Sequence, residues 1–81
     1  MESRAIRALV TQWRHKRTPF GGAYDWTGHA LIFFEGARAG AIAAKDDKPS
    51  GTIDELIAEI DMVLSLIDTQ GINPLLAMAP I

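Results

Sequence analysis

Few residues of the sequence could take part in catalysis or bind a metal. The 81 residues include two histidines, His15 and His29, and no cysteine. Asp25 precedes His29 by four residues, and across a turn its carboxylate could hold the imidazole in one orientation. No nucleophile motif or metal-ligand spacing accompanies this pair, and a histidine at the start of an apolar segment is more often structural. We therefore expect a protein that is not an enzyme and has no metal or cofactor.

A basic cluster followed by glycines and aromatic rings is the first candidate binding site. Arg14, Lys16 and Arg17 lie at the end of the first predicted helix, and Gly21-Gly22 follows them. Guanidinium and ammonium groups bind phosphates, and aromatic rings stack on bases. The same cations are typical of a helix C-terminus, where they interact favourably with the helix dipole. Binding of nucleic acid or a nucleotide is accordingly the alternative function, and its residues would be Arg14, Lys16, Arg17, Tyr24, Trp26 and His29.

The second candidate is the outer side of a helix predicted over residues 53–70. Met62 and Leu66 lie four residues apart on the side opposite the main apolar stripe of this helix. Glu55 and Glu59 fall on the same side, and the helix contains no cation. We predict a partner-binding surface formed by this helix and the tail that follows it, with the residues Met62, Leu66, Glu55, Glu59, Leu75, Leu76 and Met78.

The C-terminal tail, residues 74–81, extends this surface in the prediction. It contains no charged side chain, whereas a disordered tail is usually more polar. We expect the tail to dock, either on its own core or on a neighbouring molecule. A chain this short often completes its core by association, so a second copy of the chain is the leading partner. The open alternative is that the first helix or the tail covers Met62 and Leu66 within one molecule.

Composition and charge limit the class of protein. The chain is 48% hydrophobic and 22% charged with a formal net charge of −2, which is typical of a folded soluble domain. Residues 1–17 carry five cations and one acid, whereas residues 18–81 carry three cations and nine acids. The two parts are therefore expected to pair with each other or to face different partners, one of them with a basic surface. We find no signal-peptide pattern and no apolar stretch of the roughly 20 residues that span a bilayer, so we expect a cytoplasmic protein without membrane contact.

Both ends of the chain show clear helix signals. Apolar residues at helical spacing predict a first helix that Ser3 caps and that ends at Thr18-Pro19. The helix at 53–70 is predicted to start at a capping box, Thr52–Glu55. Gly71 follows in the position where a glycine of left-handed conformation usually ends a helix.

The middle of the chain is predicted to form strands. The apolar run at residues 29–34 is typical of a buried strand, Glu35-Gly36 of a tight turn, and residues 38–44 of a second strand. Residues 20–24 would pair as a third strand and complete an antiparallel meander. In the alternative interpretation residues 37–45 are helical, because alanine favours a helix, and the protein is mostly α.

These elements predict a single α+β domain over residues 1–81. It would consist of a helix, a short antiparallel three-stranded meander, a long amphipathic helix packed on the sheet, and a docked apolar C-terminal tail. In size, acidity and lack of catalytic residues the chain resembles the small accessory or inhibitor proteins that phages and mobile elements carry. The predicted function is a non-enzymatic protein–protein interaction protein, homodimeric through residues 53–70 and the tail.

Overall fold

Helices make up nearly all of the described chain. The computed structural model describes residues 3–17 and 26–78. These residues form four helices and no strand: α1 (Arg4–Arg17), α2 (Trp26–Asp47), α3 (Gly51–Gln70) and α4 (Asn73–Ala77). Within the same ranges, no helix combines the length and the apolar character needed to cross a bilayer.

The prediction of an α+β fold is wrong, because the two strands predicted at 29–34 and 38–44 both belong to α2. The predicted turn at Glu35-Gly36 is a regular part of this helix. Alanine has the highest helix propensity of all residues, and α2 is rich in it. The core-facing side of α2 repeats at i, i+4, i+7 and i+11, through Ala30, Phe34, Ala37 and Ala41.

The alternative interpretation is correct for the segment that it named. It made residues 37–45 helical and the protein mostly α, and these residues are helical in the structure. The helix extends further in both directions than that alternative required, from Trp26 to Asp47. The third predicted strand, residues 20–24, lies outside the described residues.

The start of α1 is the one that the sequence predicts. The backbone N–H of Ile6 donates to the hydroxyl oxygen of Ser3 at 3.2 Å, which confirms Ser3 as the cap. Ile6, Val10 and Trp13 are buried, and their spacing of four and three residues places them on one side of the helix. This side of α1 covers the core that α2 and α3 form.

One end of α3 differs from the prediction and the other agrees with it. The N-cap is Ser50, whose hydroxyl accepts the backbone N–H of Thr52 at 3.2 Å, so the predicted capping box at Thr52–Glu55 is wrong. At the other end, Gly71 has the positive φ that was predicted, 72°, and its N–H donates to the carbonyl of Ile67 at 2.9 Å. The helix therefore starts one residue before Thr52 and ends at Gln70.

Two ion pairs define an antiparallel hairpin of α2 and α3. Arg38 Nε lies 2.5 Å from an Asp61 carboxylate oxygen, and Lys45 Nζ lies 2.6 Å from one of Asp54. Seven residues separate the two members on each helix, and the order is reversed between the helices. A spacing of seven residues is close to two helical turns, so both pairs lie on the same side of the hairpin.

The short helix α4 docks on the core of the same chain. Leu75 is 0% exposed and belongs to the same buried cluster as Trp13 and Phe34. The guanidinium of Arg14 donates from Nη2 to the carbonyl oxygen of Leu76, which joins α1 to α4. The helix α4 thus closes one end of the bundle.

Candidate partner-binding surface

The acids of α3 lie in two separate rows on two sides of the helix. Three of them are spaced by seven residues and lie on the side of the α2 ion pairs: Asp54, Asp61 and Asp68. The other two, with the methionine and the leucine singled out from the sequence, follow one another at i, i+4, i+7 and i+11. We call this second row the outer α3 row, and it consists of Glu55, Glu59, Met62 and Leu66.

The row on the α2 side is largely paired within the chain. Arg38 holds Asp61 and Lys45 holds Asp54. The hydrogen bond to Asp54, together with the charge of that carboxylate, raises the pKa of Lys45 above 10.5. The sequence had left open whether the acids pair within one molecule. Two of them do, with cations from α2 and not with the basic helix α1.

The outer α3 row combines acidic and apolar side chains at the surface. Met62 is 43% exposed and Leu66 is half-buried. Neither belongs to the core cluster or to the hydrophobic residues that pack against it. Glu55 is exposed, and Glu59 accepts a hydrogen bond of 2.5 Å from the hydroxyl of Ser3. Neither α1 nor α4 therefore encloses Met62, although that was the open alternative.

A cavity lies beside this row, where the first turn of α1 meets the first turns of α3. Its volume is about 310 Å³, and its lining includes one cation and two acids among small and apolar side chains. Arg4 and Glu55 are both exposed, and no ion pair within the described part of the chain involves either of them. The lining residues are Ser3, Arg4, Ala5, Thr52, Glu55, Leu56 and Glu59.

The tail residues of the predicted surface have unequal access to a partner. Leu75 is fully buried within the chain, so its side chain contributes to the core in this conformation. Leu76 and Met78 are half-buried and pack against the same core. A partner could therefore contact the exposed parts of Leu76 and Met78, whereas the side chain of Leu75 is inaccessible.

The structure describes only part of the basic cluster predicted to bind phosphate. Arg14 is half-buried and donates to the Leu76 carbonyl. Trp26 and His29 are half-buried in the first turn of α2. Four further residues considered from the sequence lie wholly or in part outside the described part, namely Tyr24, Asp25 and the side chains of Lys16 and Arg17.

One exposed apolar residue was missed by the sequence interpretation. Ile32 is 69% exposed, more than any other large hydrophobic residue described. The sequence interpretation had placed it inside a buried strand. In a helix it points away from Ala30 and Phe34, which are two residues away on either side. A helical wheel of residues 26–47 would have found it.

Neither a search for metal-binding groups nor comparison with known proteins adds a further site. The described residues contain no group of three or more histidine, aspartate or glutamate side chains that could hold a metal ion. Comparisons with protein-family models, curated proteins and solved structures found no match to this chain.

Proposed function

We propose that this chain is a small non-enzymatic protein–protein interaction protein, of the accessory or inhibitor type, which acts through the outer α3 row. The observation that carries the proposal is the exposure of Met62, 43%, next to Leu66 and two acids on one helix face. The proposed setting is the cytoplasm. The proposed surface extends from the outer α3 row to the exposed parts of Leu76 and Met78.

The apolar part of the row supplies the favourable free energy of docking. Burying apolar surface contributes about 25 cal/mol per Å², and methionine adapts its shape to different partners because its side chain is flexible and polarizable. Met62 and Leu66 are neighbours on the helix surface, so one partner side chain can contact both. Since neither packs on the core, docking would not require the fold to rearrange.

The acidic part of the row selects the partner and its orientation. Glu55 has no ion-pair partner among the described residues, and Glu59 is held in place by Ser3. Acids beside an apolar patch attract a surface that presents cations beside apolar groups, and they disfavour an acidic one. The proposed partner surface is therefore basic at one end and apolar at the other.

The alternative function, binding of nucleic acid or a nucleotide, has less support from the described residues. Arg14 was one of its three cations, and its guanidinium already donates to the Leu76 carbonyl. A phosphate would have to compete with this contact between α1 and α4. We therefore favour the interaction function over the alternative.

Site-directed photo-crosslinking tests the proposed function. A photoreactive phenylalanine derivative at position 62, introduced in cells that produce the protein, is expected to form a defined covalent adduct with another protein chain. The same residue at position 43 is the matched control, because Ala43 is exposed on α2 and lies outside the proposed surface.

A second substitution makes the outcome specific. Leu66→Asp places a charge next to position 62 and is expected to suppress the adduct, whereas Ile32→Asp on α2 should leave it unchanged. Equal labelling from positions 62 and 43, or no adduct from position 62, would contradict the proposed function.

A further inference from the structure

We propose that the partner at the outer α3 row is a second copy of this chain, docked about a two-fold axis so that Arg4 of each copy pairs with Glu55 of the other. This inference rests on the proposed function and names its partner. It is carried by the charges at the cavity between α1 and α3, which include both signs on one surface.

Some charged side chains remain available for an intermolecular contact. Arg38 and Lys45 are paired with acids of α3, and Arg14 donates to α4. Arg4 and Glu55 are exposed, line the same cavity, and take part in no ion pair within the described ranges. The surface beside the outer α3 row thus carries an unpaired cation on α1 and an unpaired acid on α3.

A surface that carries both charges can dock on a copy of itself with two-fold symmetry. In a two-fold dimer the same patch contacts itself, so that a contact of residue i with residue j always occurs twice. An axis directed through the cavity places α1 of one copy over α3 of the other. Arg4 then faces Glu55 of the second copy, and the reciprocal pair forms at the same time. A patch with only acids would repel itself in this arrangement.

Apolar surface lies next to these charges. Exposed ion pairs contribute little by themselves, so a dimer needs apolar surface to bury. Met62 and Leu66 continue from Glu55 along the same side of α3; Met62 is exposed, and Leu66 is half-buried without belonging to the core. A small domain buries a smaller share of its surface than a large one, and association adds to that share.

The exposed side of α2 is a weaker candidate for the same contact. Ile32 is more exposed than Met62, but the described residues three and four positions away on α2 are Gly28, His29, Glu35 and Gly36, and of these Glu35 alone carries a formal charge. Such a surface contains no pair of opposite charges that would orient a second copy. It serves as the control surface in the test.

Sedimentation equilibrium of the purified chain at tens of micromolar tests the inference. The wild type is expected to sediment with twice the 8.8 kDa mass of one chain. Arg4→Glu and Glu55→Lys each place like charges opposite one another twice, and each should raise the dimer dissociation constant by at least about tenfold. The double variant Arg4→Glu/Glu55→Lys restores opposite charges with their signs exchanged, and it should dimerise nearly as well as the wild type.

Controls separate a lost interface from a lost fold. Circular dichroism should show the same helix content for all variants, and Ile32→Asp should leave the dimer intact. A monomeric wild type, a double variant as weak as the single ones, or a dimer disrupted by Ile32→Asp would overturn the inference. A monomer whose position 62 still crosslinks to a different protein would overturn only this inference, whereas the absence of any adduct would contradict the proposed function.

Discussion

Two exposed glycines in α2 are expected to lower the stability of the chain, and no close contact in the structure requires them. Gly36 and Gly40 lie inside the helix, and a Cβ built on either of them would meet nothing within 4 Å. Glycine in a helix interior costs about 1 kcal/mol relative to alanine, because it has more backbone freedom to lose. Gly36→Ala and Gly40→Ala are therefore each expected to raise the free energy of unfolding by ~0.5–1 kcal/mol in urea denaturation.

Gly71 is the matched control for these substitutions. It also has open space around its Cβ position, but its φ is 72°, which alanine rarely adopts. Gly71→Ala should therefore lower the free energy of unfolding. If all three substitutions changed it in the same direction, backbone conformation would not be what distinguishes these glycines.

At the residue scale, the sequence could predict only those members of the candidate site whose position depends on residues near them in sequence. Met62 and Leu66 were recognised because their place outside the main apolar stripe of α3 follows from their position on one helical wheel. The contact of Ser3 with Glu59 joins residues 56 positions apart, and the cavity beside Arg4 depends on the same packing of α1 on α3. No spacing within the sequence encodes such contacts.

At the scale of elements, the ion pair between Lys45 and Asp54 makes the stability of the α2–α3 hairpin depend on pH. The bond to Asp54 raises the pKa of Lys45 above 10.5, its value without the bond. A cation whose pKa is raised by folding stabilises the folded state fully at pH values below the unfolded pKa. This contribution disappears as the pH rises through the folded pKa. The hairpin should thus lose the contribution of this pair only above about pH 10.5.

The substitution Lys45→Arg tests this dependence, because arginine keeps the positive charge and does not titrate in this range. We expect the free energies of unfolding of wild type and variant to change in parallel with pH up to about pH 9. Above pH 10.5 the free energy of unfolding of the wild type should fall relative to that of the variant. Lys48→Arg is the control, since Lys48 forms no ion pair with the described residues. A wild type that stays parallel to Lys45→Arg throughout would contradict the assigned cause.

The helices α1 and α3 could be predicted from the sequence, whereas α2 could not. The reason lies in the core-facing residues of α2. The buried sides of α1 and α3 consist of large apolar residues at helical spacing, which are easily recognised. On α2 three of the four residues that repeat on the core-facing side are alanines. Their apolar contribution is small, and the run around Phe34 resembled a strand more strongly. These small residues pack against parts of the core that are distant in sequence, so the packing that buries them was not visible in the sequence.

At the scale of the whole molecule, the short helix α4 is expected to determine whether the bundle stays closed. Leu75 is fully buried in the same cluster as residues from α1, α2 and α3. Removing a buried leucine side chain costs about 2–5 kcal/mol through lost burial and the cavity left behind. Small domains have a total stability of only about 5–15 kcal/mol. Leu75→Ala should therefore remove a large part of the free energy of unfolding in urea denaturation.

The same substitution distinguishes two roles of the tail. If the tail belongs to the core of one molecule, Leu75→Ala lowers the stability at every protein concentration, whereas Met62→Ala changes it by less than about 0.5 kcal/mol under dilute, monomeric conditions. If the tail instead docked on a second copy, the effect of Leu75→Ala would vanish on dilution. Since Arg14 donates to the Leu76 carbonyl within the chain, we expect the first outcome. An effect of Leu75→Ala that disappears on dilution would show that the buried tail belongs to the interface rather than to the core.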